Sequence, residues 1–385
     1  MPWRVFGMLL LIAPVVIFGI SLVEPMSSGS LSARPQLGAP PIDTSGFARA
    51  IAPWDWQFPR DHSAHPDFQT EWWYFTGNLA DESSGRRFGF QFTIFRRALS
   101  PDFASSSSEF RSNQIYFAHF TVSDIAGGDF HHDVRYGRGG AGLAGAEDQP
   151  RWRVWVEGWS MRAENDAATA IRIQAASDDF AIDLALRQVK PPALQGKKGL
   201  SPKSAEVGNA SYYYSLSRLE TVGQISLGGA RFAVSGHSWM DHEFSTSALG
   251  ADAQGWDWFG LLFDDDSELM VGQIRLTDGG LEPAFGGLII NPDGSTRQLD
   301  SSEISIRGLD TWRSPHSLAE YPAGWDIAVA GEAGFRITVA PLLADQELHD
   351  GGIIYWEGAV SISGDKTGYG YAELTGYAES MQNRF

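Results

Sequence analysis

The segment Gly236–Phe244, GHSWMDHEF, sets an imidazole, carboxylates and an indole within nine residues. On a strand, successive side chains alternate between faces, so His237, Trp239, Asp241 and Glu243 form one row and His242 points the other way. A carboxylate forced against apolar rings loses solvation, and its pKa rises. A carboxylic acid that keeps its proton near neutral pH can serve as a general acid. The segment Gly255–Leu262, GWDWFGLL, repeats the theme with Asp257 between Trp256 and Trp258. Glu71 opens a third such segment, EWWYFTG, beside Trp72 and Trp73. Two readings fit these groups. They line a pocket, or they form a satisfied hydrogen-bond network that locks elements together.

Other chemistries find less support. Asp61, His62, His65 and Asp67 form one His/carboxylate cluster, and His131–His132–Asp133 and Asp241–His242–Glu243 form two more. None has the helical H-E-x-x-H frame of a zinc enzyme, so solvated loops or structural networks are the reading and no metal is expected. The G-x-S-x-G turn of a hydrolase is missing, since Gly236–His237–Ser238 lacks the second glycine. No phosphate- or dinucleotide-binding glycine motif occurs, so no cofactor is expected. The chain has no cysteine, which removes disulfides, thiol catalysis and thiolate metal sites. The net charge of -18 argues against nucleic acid, whose phosphates need Lys and Arg.

The elements that must position these residues are strands. Phe88, Phe90, Phe92 and Ile94 alternate with small or polar residues, as do Phe180, Ile182, Leu184 and Leu186, and Ile354, Trp356, Gly358 and Val360. Turn residues separate such runs at Asp81–Gly85, Asn291–Gly294 and Gly364–Gly368. No segment carries a long amphipathic helical pattern. The fold class is therefore all-β, a sandwich or barrels. Aromatics on both faces of many strands suit a barrel with an apolar interior cavity, or barrels packed on each other. The 385 residues suit two domains. A Gly-rich hairpin near Gly223–Gly236 places the division there, giving domains 53–230 and 231–385. Ahead of them, Arg4 precedes an apolar run from Val5 to Val23. Residues 1–26 thus read as a signal peptide or an inner-membrane anchor of an exported protein, and residues 27–52 as a Ser/Gly/Pro/Ala-rich flexible linker.

Five blocks, taken in order, resemble the AttH / carotenoid 1,2-hydratase-like family. They are DHSAHPDFQTEWWYFTG, FGFQFTIFRR, GHSWMDHEF, GWDWFGLL and YWEGAVSISGDKTGYGYAELTGY. The resemblance spans roughly residues 53–380 and implies two tandem lipocalin-like antiparallel β-barrels. Its members include carotenoid hydratases, cyclases and exported proteins. The block with His237, Trp239 and Asp241 matches the family's histidine–aromatic–aspartate segment, and Trp256–Asp257–Trp258 its aromatic segment. This gives Asp241 as an acid, His237 as its partner, Asp257 as a reserve acid, and Trp239, Trp256, Trp258, Glu71, Trp73, His242 and Glu243 as ligand-binding residues. Two functions follow as expectations. One is an exported module that binds a lipophilic small molecule and works with a membrane transporter. The other is a hydro-lyase or cyclase that protonates an isoprenoid-like alkene, with aromatic faces steadying the cation.

Overall fold

The computed structural model describes residues 44–102, 108–246, 249–350 and 352–381. The apolar segment 1–26 and the start of the linker lie outside the described residues. Within them the protein is all-β, with two nearly closed, barrel-like antiparallel sheets. Among the described residues the helical turns are two short 3-10 turns, Arg60–His62 and Ser301–Glu303, and no helix there is long and apolar enough to cross a membrane.

The first sheet contains β1 (Thr70–Asp81), β2 (Arg87–Ala98), β3 (Gln114–Asp124), β4 (Asp129–Arg138), β5 (Ala144–Glu147), β6 (Arg153–Val156), β7 (Trp159–Ala163), β8 (Ala170–Ala176) and β9 (Phe180–Gln188). The short β10 (Ala193–Leu194) and β11 (Leu200–Pro202) follow, then the long β12 (Ala210–Leu227) and β13 (Ala230–Ser245). Its path is β4-β3-β2-β1-β13-β12-β9-β8-β7-β6-β5. The end strands approach each other where Gly137 of β4 lies against Ala144 of β5, and a Cβ on Gly137 would meet that of Ala144 at 2.8 Å.

The second sheet contains β14 (Ala253–Phe263), β15 (Glu268–Leu276), β16 (Gly287–Ile290), β17 (Thr296–Leu299) and β18 (Ile304–Gly308). A separate hairpin of β19 (Thr311–Arg313) and β20 (Glu320–Pro322) interrupts it. The sheet resumes with β21 (Trp325–Val329), β22 (Phe335–Pro341), β23 (Glu347–Leu348), β24 (Tyr355–Gly364) and β25 (Gly368–Leu374).

Alternation fixes what each face does. In the first sheet Phe75, Phe90, Phe92, Phe120 and Trp159 point inward and are fully buried, so side chains fill the barrel. Phe259, Leu261, Trp325 and Val360 do the same in the second. Of the two expectations, barrels packed on each other is the one these buried interior clusters and the cluster between the sheets support. The other aromatic face closes the sheets against each other, where Tyr74, Trp239, Trp258 and Tyr371 meet in a third cluster. Charged groups clamp this junction. Glu268 of β15 accepts from Lys190 Nζ at 2.8 Å and Arg218 Nε at 2.5 Å, with both cations on the first-sheet side.

Two boundary expectations need correction. The Gly-rich hairpin joins β12 to β13, and β13 pairs with β1 along its length. The strand after the turn thus stays in the first sheet, and the sheet changes between Ser245 and Ala253 rather than at 230/231. A glycine-rich turn marks a hairpin as readily as a domain border. The described end of the linker is also packed rather than flexible. Ala50 is buried with Phe68, Tyr212 and Phe244, and Ala52 O accepts from Tyr212 Oη at 2.8 Å.

Candidate functional site

Strand register assembles the site. Tyr74 of β1 pairs with Asp241 of β13, which pairs with Ser215 of β12. On the second sheet Trp258 of β14 pairs with Glu373 of β25, which pairs with Glu357 of β24. Directly opposed residues on one face lie about 5 Å apart, so each sheet carries a short polar row on the face it turns to the other. Tyr74 Oη joins the rows by donating a short hydrogen bond to Glu357.

Between them is a cavity of about 100 Å³, lined by Asp241, Glu243, Glu373, His119, Lys203 and a wall of aromatic residues that includes Trp72, Trp256 and Trp258. Asp241 is one of its lining carboxyls. Oδ1 accepts from Ser215 Oγ and Trp239 Nε1, both at 2.6 Å, and Oδ2 accepts from Tyr213 Oη at 2.6 Å. Burial pushes its carboxyl up, the three donors pull it down, and the result is about 7. Tyr213 Oη also accepts from Trp258 Nε1 at 3.1 Å, so the phenol can turn its proton toward or away from the aspartate. Burial likewise pushes Glu373 up to about 7, against a hydrogen bond from Trp256. Glu357 is driven well above the carboxylate range by burial and by the charge of Glu373. Glu243 instead faces Lys203 Nζ at 3.2 Å. The cavity therefore holds two carboxyls, Asp241 and Glu373, that keep a proton up to near neutral pH in an aromatic surround, the combination that general-acid chemistry uses.

Of the residues singled out from sequence, Asp241, Glu243, Trp256 and Trp258 line this cavity. The others lie elsewhere. His237 shares the row of Asp241, but four residues of extended strand separate them by roughly 13 Å, and Trp239 stands between. His237 lines a second, more polar cleft of about 350 Å³ with Arg87, Arg218 and Asp266. It is not the partner of Asp241; Tyr213, Ser215 and Trp239 are. His237→Ala is accordingly expected to change ligand affinity or turnover less than twofold, measured beside the parent protein.

Trp239 supports the site from behind, buried and bonded to Asp241. Asp257 points into the second barrel, where Gln273 donates at 2.7 Å, Arg275 at 3.2 Å and Tyr377 at 3.0 Å. Burial raises its carboxyl and Arg275 opposes. Asp257 is not among the residues that line the cavity, so it is no reserve acid there.

Glu71, Trp73 and His242 face the interior of the first barrel. Glu71 accepts from Arg96 Nε at 2.8 Å, from His65 N at 2.9 Å and pairs with His242 Nε2 at 2.8 Å. Burial pushes its carboxyl up, but Arg96, His242 and His65 override it and hold it well below the usual range. Trp73 stacks on His242 with centroids 4.9 Å apart. The indole at the cavity is its neighbour Trp72: one residue of register decides which of a Trp-Trp pair meets a ligand.

Tyr74, Tyr213, His119, Lys203 and Glu373 escaped the sequence reading. Tyr213 had a usable signal, since Tyr212–Tyr213–Tyr214 on one strand must send its middle ring to the face opposite the outer two. His119 had none, because nothing along the chain ties β3 to the cavity.

Two filled β-barrels joined face to face around a cavity define a lipocalin-like double-barrel protein. The chain belongs to the AttH-like family, whose family model matches residues 49–377. It is similar to the crystal structure of an AttH-type protein from Nitrosomonas europaea, at 36% identity and TM-score 0.77, covering 86% of this chain and 100% of that one. It is also similar to kievitone hydratase from Nectria haematococca, at 15% identity and TM-score 0.65, covering 88% and 98%. A further likeness is to CghA, at 12% identity and TM-score 0.50, covering 82% and 89%. The latter two show the fold alone. No curated protein matches the chain in sequence.

Proposed function

We propose that the cavity binds a lipophilic, alkene-bearing small molecule and protonates it, making the protein a hydro-lyase or related cyclase with Asp241 as the acid. The observation that carries this is a buried carboxyl pushed up to about 7 inside an aromatic cavity. In the step envisaged, the Asp241 O–H bond breaks and a C–H bond forms at the less substituted alkene carbon. The positive charge falls on the other carbon, where the faces of Trp258 and Trp256 steady it. A water oxygen then bonds that carbon, and its surplus proton returns to the aspartate. His119 Nε2, buried and without a hydrogen-bond partner in the protein, is available to an oxygen of the ligand. The hydratase among the structural neighbours makes water addition the reaction class to test first.

The test is incubation of the full chain with prenyl- and isoprenoid-type alkenes in oxygen-18 water, followed by mass spectrometry. A product heavier by one labelled water supports the hydro-lyase. An alkene held stoichiometrically but recovered unchanged favours the second reading, an exported carrier working with a membrane transporter. That reading draws on the aromatic lining and on the apolar run Val5–Val23. Failure to hold any apolar probe sinks both.

A further inference from the structure

A second cluster lies at the same junction. His132 of β4 comes from the first sheet, and His349 and Asp350 follow β23 of the second. One ligand atom from each falls within 4.8 Å of the others. The sequential triplet His131–His132–Asp133 does not converge, because alternation sends His131 to the opposite face, against Phe180. The tertiary fold supplies different partners for His132.

The local hydrogen bonding prepares the group for a cation. His132 Nδ1 is buried without a hydrogen-bond partner, and the nearest charge is Asp350 Oδ2 at 4.0 Å. A buried ring nitrogen left in this state costs free energy that a bound ion would recover. His349 Nδ1 lies 3.1 Å from Glu347 O. A carbonyl can only accept, so Nδ1 carries the proton and Nε2 offers its lone pair; this is the outer contact that metal-ligating histidines make. His316 stacks on His349 at 4.0 Å and 11° and is itself held by Asp345 at 2.9 Å, which fixes the ring.

We propose that His132, His349 and Asp350 bind a divalent transition-metal ion, zinc by ligand type, that pins the second barrel's cavity wall to the first barrel. Two imidazoles and a carboxylate are zinc ligands, with a fourth position left for water. Zinc at about 2.0–2.2 Å from each ligand sets them roughly 3.4 Å apart, so the cluster must contract. Asp350, with a side chain 65% exposed, has the freedom to move inward. The linkage to the cavity is short, because Ile353 and Tyr355 of its wall come three and five residues after Asp350. The cluster His65, Glu71 and His242 has similar spacing but no such capacity, since Arg96 already neutralises its carboxylate.

The experiment is calorimetric titration of metal-stripped full chain with zinc ion alone. One ion per chain is expected, with affinity falling on the order of a hundredfold or more in His132→Ala and in His349→Ala. His131→Ala is the control and keeps parent affinity. Absence of stoichiometric binding, or unchanged affinity in the double variant His132→Ala/His349→Ala, overturns the proposal. Should those variants fail to fold, X-ray absorption at the zinc edge of the loaded parent protein decides. Scattering from two imidazoles upholds the site, and a spectrum without imidazole overturns it.

Discussion

Asp241→Asn is expected to slow protonation-dependent turnover by about 10²–10⁴-fold, the usual weight of a general acid, while affinity for the same alkene stays within about threefold. The amide fills the same volume and meets Tyr213, Ser215 and Trp239, so binding should survive the loss of the proton. The pH profile adds a signature that packing damage does not mimic. With the acid at about 7, the parent rate should be flat below that value and fall about tenfold per pH unit above it. Stability carries a matching trace. The folded carboxyl holds its proton up to about 7, whereas the ordinary value is 3.8. Its contribution is whole below pH 3.8 and is lost as pH rises through 7, on the order of 4 kcal/mol. Glu373 titrates in the same window, so denaturant unfolding of the variant should show a shallower decline rather than none. Full turnover in Asp241→Asn, or an unchanged pH profile, would remove the aspartate from the chemistry.

The second large effect belongs to Glu71, and there the expected loss is of fold. Glu71→Ala should destabilise the protein by about 3–5 kcal/mol, because Arg96 is left buried without its counter-charge. Arg96 also donates to Gln114 and to the carbonyls of His65 and Phe68, so it cannot swing out to water without opening the start of β1. The double variant Glu71→Leu/Arg96→Met should recover only part of the loss, since it removes both charges but leaves His65 N, His242 Nε2 and the carbonyls of His65 and Phe68 without their partners. The pH dependence has the opposite sign to that of Asp241. The Glu71 carboxyl is held well below its usual value, so its stabilisation is present above the unfolded carboxyl value and fades as pH falls toward the folded one. Equilibrium denaturation across acidic pH measures this. A Glu71→Ala protein of parent stability that no longer binds ligand would restore the glutamate to the binding site.

The sequence by itself determined the all-β class, several of the strands and their turns, and the family. Period-two runs such as Phe88–Ile94, closed by turns at Asp81–Gly85 and Gly364–Gly368, leave little else for the backbone to do. It also determined that an acid would sit among indoles, because Trp239 and Asp241 share a face of any strand containing them, and Trp256 and Trp258 share another. Alternation is a local property of the chain, and local rules carried that far. Three outcomes were decided by the tertiary structure. Which face of β1 is interior selects Trp72 for the cavity and sends Glu71 and Trp73 into the barrel, since both faces carry aromatics and the pattern is symmetric to the eye. Two of the three partners of Asp241, Tyr213 and Ser215, come from β12, 28 and 26 residues upstream, because cross-strand pairing brings that strand alongside β13, while His237, nearer along the chain, is carried away by strand length. The rows Ser215–Asp241–Tyr74 and Trp258–Glu373–Glu357 meet only when the sheets close on each other. Burial at that junction lifts Asp241 and Glu373 toward neutrality, and desolvation depends on everything packed around a carboxyl, not on its neighbours in the chain.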